Sequence, residues 1–217
     1  MKKLLLATTN KAKQEEILFG LKPLIEQGLI VISLSDVDIQ EYPEETGVTF
    51  EENAKLKAKY YAEKTGLPAL ADDGGIMIDA LGGKPGVKSR RWPGYEATDK
   101  ELIDYALKKL KDVPADKRTA KLVTCVCFYY PKVEIPSLKG VSEGRGVYVC
   151  EQEQIEGFMT DKPLTMETNG YPYRALFKVL KFNKFYDELT HEEHDAINHR
   201  LLAIKRLIPT IQKYLLQ

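Results

Sequence analysis

A run of hydroxyl, amide and ammonium groups stands near the start of the chain, at residues 8–13 (TTNKAK). It follows a short apolar stretch and precedes a helical pattern, where free backbone N–H groups and the helix dipole attract anions. The GxxxxGK[ST] pattern of a Walker loop is absent. The local pattern by itself favours a helix N-cap with solvated lysines. The alternative is a phosphate site made by Thr8, Thr9, Asn10, Lys11 and Lys13.

A second candidate cluster is acidic. Asp72 and Asp73 follow an apolar stretch and precede two glycines, and Glu44 and Glu45 lie in an acidic loop before a helix. Carboxylates at a strand end can hold Mg²⁺, and a spare carboxylate could deprotonate a water. The alternative is a β-turn, because Asp-Gly is a common turn signal. A turn explains less well why two carboxylates end an apolar strand, where desolvation is costly without a cation.

Three further groups have both a structural and a functional interpretation. Lys57 lies among other lysines, as on a solvated helix face. His199 and Arg200 could form surface ion pairs or contact the carbonyl edge of a base. The aromatic residues of segment 170–174 could pack in the core or stack on a purine. His191 and His194 are three residues apart and do not match the HExxH zinc pattern.

The elements that must position these residues alternate early in the chain. Apolar runs predict strands at 3–7, 29–34, 67–71 and 76–78, with a turn at 72–75 between the last two. Helical spacing predicts a first helix with Ile17, Leu18 and Leu21 on its apolar face, and further helices at 49–64 and 99–110. Thr49 with Glu52 forms a capping box at the start of the second helix, and Thr190 with Glu193 forms another that begins a C-terminal helix, which Pro209 kinks or ends. The segments 120–130 and 140–150 could form a long hairpin. This mixture predicts an α/β fold with a mixed sheet and two lobes.

Composition limits the function classes. The chain has 217 residues, 43% of them hydrophobic and 29% charged, which excludes a disordered chain. Lys and Arg number 32, as do Asp and Glu, so no global basic field indicates nucleic acid. No apolar run approaches the roughly 20 residues of a membrane span, and a cytoplasmic protein is expected. The three cysteines, all in β-like runs, are interpreted as reduced core thiols.

Taken together, the motifs resemble the inosine triphosphate pyrophosphatases, which hydrolyse non-standard purine nucleoside triphosphates. Each motif is weak alone, but their order and spacing are specific and extend over nearly the whole chain. The matching segments are LATTNKAK at 6–13, EETGVTFEENA at 44–54, LKA at 56–58, ADDGG at 71–75, ALGGKPGV at 80–87, ELT at 188–190, and His199-Arg200.

The resemblance implies one domain over residues 1–217, with an elongated mixed sheet, flanking helices, and two lobes around a central cleft. It also implies a Mg²⁺-dependent enzyme that releases the nucleoside monophosphate and pyrophosphate, and a homodimer. Glu45 and Asp73 would hold Mg²⁺, with Asp73 also the base, Asp72 supporting the site and Lys57 adding a cation. Which of Asp72 and Asp73 touches the metal stays open.

The same resemblance assigns the purine to the C-terminal part of the chain. His199 and Arg200 would contact the oxygen at the six position, and Tyr171 and Tyr173 would lie against the base. The departures from the family pattern cluster mostly there: Arg174 replaces an acidic residue, His194 a lysine, and Asn198 a serine, while Thr9 and Gly74 replace a glycine and a serine. Two alternatives therefore stay open: a scaffold retuned for another nucleotide, or a nucleotide-binding module without turnover.

Overall fold

The computed structural model describes residues 2–39, 41–131, 146–168 and 170–217. The chain divides into two compact units, each assembled from separate stretches of sequence. Unit 1 comprises residues 1–73, 125–152 and 200–217, and unit 2 comprises residues 74–124 and 153–199. The expectation that both count as lobes of one domain stays a prediction.

Helices and strands alternate in the first third of the chain, as the sequence pattern predicts. The elements in this part are β1 (Lys3–Leu6), α1 (Lys11–Ile25), β2 (Ile30–Ser33), α2 (Phe50–Thr65), β3 (Ala69–Ile78) and β4 (Lys84–Pro85). The remaining elements are α3 (Asp99–Leu110), β5 (Thr119–Tyr130), β6 (Val147–Met159), β7 (Phe177–Val179), β8 (Lys184–Phe185), α4 (His191–Ile197) and α5 (His199–Leu215).

The strands form one mixed sheet in the order β2-β1-β3-β5-β6-β7-β8, with β4 paired to β3. β1 pairs in parallel with both β2 and β3, whereas β3–β4, β6–β7 and β7–β8 pair antiparallel. The predicted α/β fold with a mixed sheet and flanking helices is therefore confirmed. In unit 1, the parallel register pairs Leu6, the last residue of β1, with Leu70 of β3, and Ala7 N donates to the Leu70 carbonyl, so the chain leaves β1 close to Asp72 and Asp73.

Each unit has its own apolar core. In unit 1, α1 and α5 pack on the strands through Ile17, Leu21, Ile204 and Leu207, among other buried residues. Leu18, expected on the buried face of α1, is 39% exposed. In unit 2, α3 contributes Leu102, Ile103, Ala106 and Leu110 to a second core that also contains Tyr173 and Phe177.

The N-terminus of α2 is built as the capping box predicts. Thr49 Oγ1 accepts a hydrogen bond from Glu52 N at 3.1 Å, and the Glu52 carboxylate accepts from Thr49 N. The apolar residues that recur at helical spacing along α2 are buried, namely Phe50, Ala54, Ala58, Tyr61 and Ala62. Gly66 ends the helix in the left-handed conformation that glycine adopts without cost, with φ of 69°.

The predicted turn at Asp72-Asp73-Gly74-Gly75 is wrong, because these residues lie inside the single ten-residue strand β3. The glycines serve close packing instead. A Cβ on Gly74 would lie 2.6 Å from the Val123 carbonyl oxygen, and one on Gly75 would lie 2.2 Å from Ser89 Oγ. The two aspartates thus stand on a regular strand whose neighbours approach too closely for side chains at 74 and 75.

The C-terminal helix is also divided differently from the prediction. The capping box at Thr190 begins the seven-residue helix α4, and Asn198 interrupts the helix with ψ of 101° before α5 begins at His199. Pro209 lies within α5, so the expectation that it ends the helix is wrong. Because of the break at Asn198, His199 and Arg200 occupy the first turn of a new helix.

Two of the three cysteines differ from the prediction of reduced thiols. Cys127 on β5 and Cys150 on β6 are joined in a disulfide, while Cys125 is a buried free cysteine. Of the predicted hairpin segment 140–150, residues 140–145 lie outside the described residues, and the strand that follows extends to Met159. None of the helices in the described ranges is both long and apolar enough to cross a membrane.

Candidate active site

The anion-binding turn predicted at residues 8–13 is present in unit 1, between β1 and α1. Asn10 is the N-cap of α1, and its side-chain oxygen accepts from Lys13 N at 3.2 Å. Thr8 Oγ1 accepts from Asn10 N at 3.3 Å, and the Thr8 carbonyl accepts from the Gln14 side chain at 2.7 Å. These bonds fix the turn at the positive end of a 15-residue helix. Both interpretations of the run, N-cap and anion site, are compatible with this geometry.

A buried cluster around Asp72 lies in the same unit. Lys13 Nζ lies 2.9 Å from Asp72 Oδ2, which also accepts from Arg200 Nε and a terminal nitrogen at 3.3 and 3.2 Å. The Arg200 guanidinium also donates to Glu16. Asp72 is 1% exposed and Arg200 is 3% exposed. The structure therefore brings Lys13 and Arg200, predicted as parts of two different subsites, onto one carboxylate.

A second buried cluster is centred on Lys57. Its Nζ lies 2.7 Å from Glu45 Oε1 and 3.6 Å from Asp73 Oδ1. Asn53, one turn earlier on α2, donates to Asp73 Oδ2 at 3.0 Å and accepts from Gly47 N at 2.8 Å. The Lys57 side chain is 14% exposed, so the solvated helix face considered from sequence is wrong.

Burial and the clustered cations shift the two aspartates in opposite directions. Burial acts to raise the pKa of Asp72, but Lys13, Arg200 and Lys57 outweigh burial and hold the pKa well below its usual range. For Asp73, burial is the largest effect and the pKa is raised, because Lys57 and Lys13 compensate only in part and Glu45 adds to the rise. Asp72 is thus a fixed anion, and Asp73 is the better proton acceptor.

Lys57 also has a shifted pKa. Burial acts to lower it, but the attraction of Asp73, Asp72 and Glu45 prevails, and the pKa lies above its usual value. The ammonium group is therefore a permanent cation between two carboxylates. Its partners are Glu45 in the loop before α2 and Asp73 on β3, so carboxylate oxygens from two parts of the chain stabilise a positive charge at this position.

These residues also fit a divalent metal. Glu45 and Asp73 both contact the Lys57 ammonium group, so their oxygens can converge on one positive charge. Asp72 Oδ1 is buried without a hydrogen-bond partner within the described residues. Carboxylate oxygens are the ligands that Mg²⁺ prefers. No group of three or more His, Cys, Asp or Glu in the described part of the chain is arranged as a complete metal cage. A Mg²⁺ ion typically relies on one or two protein carboxylates, with water and substrate phosphates as its other ligands.

Space for part of a ligand lies beside the turn. A cavity of about 570 Å³ is bounded by Thr9, by residues 34–39 after β2, and by Tyr42 and Tyr61. Burial raises the pKa of the Tyr61 phenol to about 12. The phenol therefore stays protonated at neutral pH and can donate a hydrogen bond.

The predicted base-binding residues lie in unit 2, apart from Arg200. Tyr173 is 6% exposed, and its hydroxyl donates to the Ser89 carbonyl at 2.6 Å. The Arg174 guanidinium lies over the Tyr171 ring, 3.7 Å from its centroid, and over the Tyr186 ring at 4.3 Å. One face of Tyr171 is thus covered by a cation, and Tyr173 belongs to the core of unit 2. Base stacking by either ring stays a prediction.

The two histidines predicted in the site have polar and aromatic neighbours in unit 2. The His194 ring lies edge-on to Tyr186 at 4.8 Å, and its Nδ1 is 3.5 Å from the Asn198 amide nitrogen. His199 is 5% exposed.

Lys11 is exposed on the first turn of α1, and Gly74 packs against Val123. The direct contacts of these two residues and of the two histidines with a substrate stay predictions.

Two residues of the site were missed in the sequence. Glu16 pairs with Arg200, and Asn53 binds Asp73 and the Gly47 backbone. A signal was available for both, because Glu16 lies three residues after Lys13 and Asn53 lies four residues before Lys57. These spacings place each missed residue on the same helix face as a residue that the motif already identified.

Comparisons with known proteins agree on one family. The model of the Ham1 family matches residues 4–210. A dITP/XTP pyrophosphatase of Shigella flexneri is 40% identical over 212 residues, covering 98% of this chain and 99% of the relative. The enzyme of the same name from Escherichia coli strain K12 is 38% identical over the same shares.

Solved structures are similar over nearly the full length. A HAM1 protein from Coxiella burnetii has a TM-score of 0.79 at 31% identity, covering 98% of this chain and 100% of its own. A dITP/XTP pyrophosphatase from Mycobacterium abscessus has a TM-score of 0.70 at 34% identity, covering 95% and 99%.

Proposed function

Because this chain belongs to the Ham1 family, we propose that it is a pyrophosphohydrolase of non-standard purine nucleoside triphosphates. ITP, dITP and XTP would be cleaved to the nucleoside monophosphate and pyrophosphate. The observation that carries the proposal is the meeting of Glu45, Asp72 and Asp73 with Lys13, Lys57 and Arg200 in unit 1.

In this proposal, Asp73 takes a proton from the water that attacks the α-phosphorus. The bond from that phosphorus to the bridging oxygen breaks, and pyrophosphate leaves with the electron pair. The raised pKa of Asp73 suits the role, since a general base works best when its pKa approaches the operating pH. Asn53 donates to Asp73 Oδ2 and so orients the carboxylate.

Lys13 and Lys57 would bind the triphosphate and stabilise the charge that develops on the leaving group. The backbone N–H groups of the turn at residues 8–10 would add donors at the N-terminus of α1. Asp72 holds Lys13 and Arg200 in place as a fixed anion. Glu45 and Asp73 would hold Mg²⁺, which when bound lowers the pKa of its water and neutralises phosphate charge.

Base selection would depend on donors that face a six-keto oxygen. His199 and Arg200 can donate to the carbonyl of hypoxanthine or xanthine. Adenine carries an amino group at that position. Its N–H donors would face the donors of His199 and Arg200, and this mismatch would disfavour adenine nucleotides strongly. A homodimer and a cytoplasmic location remain parts of this proposal.

The test is a screen of ITP, XTP, dITP, ATP and GTP with pyrophosphate detection, with and without Mg²⁺. We expect ITP and XTP to be cleaved much faster than ATP, and only with the metal. Preference for ATP would contradict the base assignment while sparing the hydrolase. Tight nucleotide binding without pyrophosphate release would identify a binding module, and preference for a different triphosphate would identify a retuned enzyme.

A further inference from the structure

In unit 2, one carboxylate holds the segment that precedes the proposed base-binding residues. Asp99 Oδ2 accepts from the Gly170 backbone N–H at 3.0 Å and from the Thr168 hydroxyl. Asp99 Oδ1 accepts from the guanidinium of Arg90. The bonds to Thr168 and Gly170 span 69 and 71 residues of sequence. Asp99 therefore joins Thr168 and Gly170 to the start of α3 and to the nearby Arg90.

Asp99 is well suited to hold a loop. It is the first residue of α3, where the helix dipole favours a negative charge, and Thr98 is the N-cap. Burial acts to raise the pKa of Asp99, but the bonds from Thr168, Arg90 and the Gly170 backbone outweigh burial and lower the pKa. The group is thus an anion at neutral pH, and charge-assisted hydrogen bonds of this kind are the stronger ones.

The held segment leads directly into Tyr171 and Arg174. Gly170 has φ of 86°, a conformation that favours glycine, and it receives its orientation from the bond to Asp99. A second anchor follows three residues later, where the Tyr173 hydroxyl donates to the Ser89 carbonyl. Ser89 precedes Arg90, so both anchors connect the segment to the same stretch of chain.

We propose that Asp99 is a positioning residue for base recognition, because it holds Thr168 and Gly170 and so fixes the start of segment 170–174, which contains Tyr171 and Arg174. The inference rests on the proposed function, in which this segment lies against the purine. In this proposal the triphosphate is bound by residues of unit 1, whereas Asp99 acts on a segment of unit 2, so the loss of Asp99 weakens purine binding and leaves pyrophosphate binding intact.

The experiment compares Asp99→Asn with Asp104→Asn. Asparagine is neutral and has one acceptor oxygen in place of two. It must therefore lose either the bond from Arg90 or the two bonds from Thr168 and Gly170, and the bonds that remain are no longer strengthened by a charge. Asp104 lies on the same helix, is exposed, and pairs only with Lys100 among the contacts described for it, at 2.8 Å. Thr168→Val is the second variant, because it removes the hydroxyl donor from the other side of the bond while keeping the shape of the side chain.

For Asp99→Asn we expect the KM for ITP and the Kd for IMP to rise by about tenfold, the size expected for hydrogen bonds to a charged group. The kcat for ITP and the inhibition constant of pyrophosphate should stay within about twofold. Thr168→Val should change the same two constants in the same direction, and the double variant should fall short of the product of the two effects. Asp104→Asn should match the wild type.

Each adverse outcome has one meaning. A wild-type protein that neither cleaves ITP nor binds IMP overturns the proposed function itself. A wild-type protein that does both, with an Asp99→Asn variant of unchanged KM and Kd, overturns the positioning role. A fall in kcat and in pyrophosphate affinity by the same factor as purine affinity also overturns it, because a general loss of structure would act on both. If Asp99→Asn does not fold, Thr168→Val decides by the same criteria.

Discussion

At the residue scale, Lys57 lies between the two carboxylates that we propose as Mg²⁺ ligands. Its ammonium group contacts Glu45 and Asp73, the two carboxylates assigned to Mg²⁺. A permanent cation between them reduces the cost of burying two carboxylates that would otherwise repel each other. Lys57 therefore stabilises this pair of carboxylates, and in the proposed function it would share them with the metal.

The role of Asp73 as the base gives the first prediction at this scale. Asp73→Asn keeps the acceptor for Asn53 but removes the proton-accepting carboxylate. We expect the kcat for ITP to fall by at least about 10²-fold, the lower end of a general base contribution, while the protein remains folded. The measurement is steady-state pyrophosphate release with circular dichroism as the folding check. Asp112→Asn, at an exposed turn, is the matched control.

Retention of the wild-type rate by Asp73→Asn in the presence of Mg²⁺ would show that another group takes the proton. Asp72 is a poor substitute, because its low pKa and its bonds to Lys13 and Arg200 keep it an anion that holds other groups. The two adjacent aspartates thus have separate roles set by their surroundings.

At the element scale, the strand β3 places the two aspartates and the helix α2 supplies their partners. Adjacent residues on a strand point to opposite faces of the sheet, which explains why Asp72 and Asp73 have different partners. Asn53 and Lys57 are one turn apart on α2 and both reach Asp73. Two side chains one helical turn apart on α2 therefore contact the same carboxylate on β3.

The glycines of β3 give the prediction at this scale. Gly74 stands where the family pattern has a serine, yet a Cβ at this position would lie 2.6 Å from the Val123 carbonyl oxygen. We expect Gly74→Ser to lower the free energy of unfolding by about 1–3 kcal/mol, because the backbone of β3 or β5 must shift. Urea unfolding measures the change. Thr119→Ser is the control, since Thr119 is exposed on β5 and serine keeps its hydroxyl group. A Gly74→Ser variant as stable as the wild type would contradict the tight packing.

At the scale of the whole molecule, the protein has no net charge, and its buried cations are each paired with a carboxylate. The 32 cationic and 32 acidic side chains cancel, so no long-range field draws polyanions to the protein. The cations that matter are gathered in unit 1, where Lys13, Lys57 and Arg200 are each held by a carboxylate. In the proposed function, Mg²⁺ together with these cations would offset the charge of a small polyanion, so no basic surface is required.

Metal binding gives the prediction for the molecule as a whole. A ligand that binds only the native state stabilises it by an amount that grows with the logarithm of the ligand concentration, about 2.7 kcal/mol at 100 times its Kd. We expect millimolar Mg²⁺ to raise the thermal midpoint above that measured with EDTA, and Glu45→Gln to abolish the rise. Glu44→Gln, at the exposed neighbouring carboxylate, should keep it. Equal midpoints with Mg²⁺ and EDTA in the wild type would contradict a metal site formed by the protein alone.

The amino-acid sequence determined the features that local chemistry decides. Periodicity and capping residues predicted α2 and α3 with the correct bounds within one residue, because a capping box and an apolar stripe act within a few turns. The resemblance to the inosine triphosphate pyrophosphatases is confirmed by the match to the Ham1 family. It could be seen in the sequence because the order of several short motifs is a property of the sequence alone. It also identified Glu45, Lys57, Asp72 and Asp73, which the structure brings together.

Tertiary structure alone decided how distant residues pair. The Asp-Asp-Gly-Gly run has the composition of a turn, yet it continues a strand, because neighbouring backbone fills the space that side chains would need. The bonds from Asp72 to Arg200 and from Asp99 to Gly170 cross 128 and 71 residues of chain. No local propensity contains such contacts, since they exist only once the sheet has formed and desolvation makes each buried carboxylate require a partner.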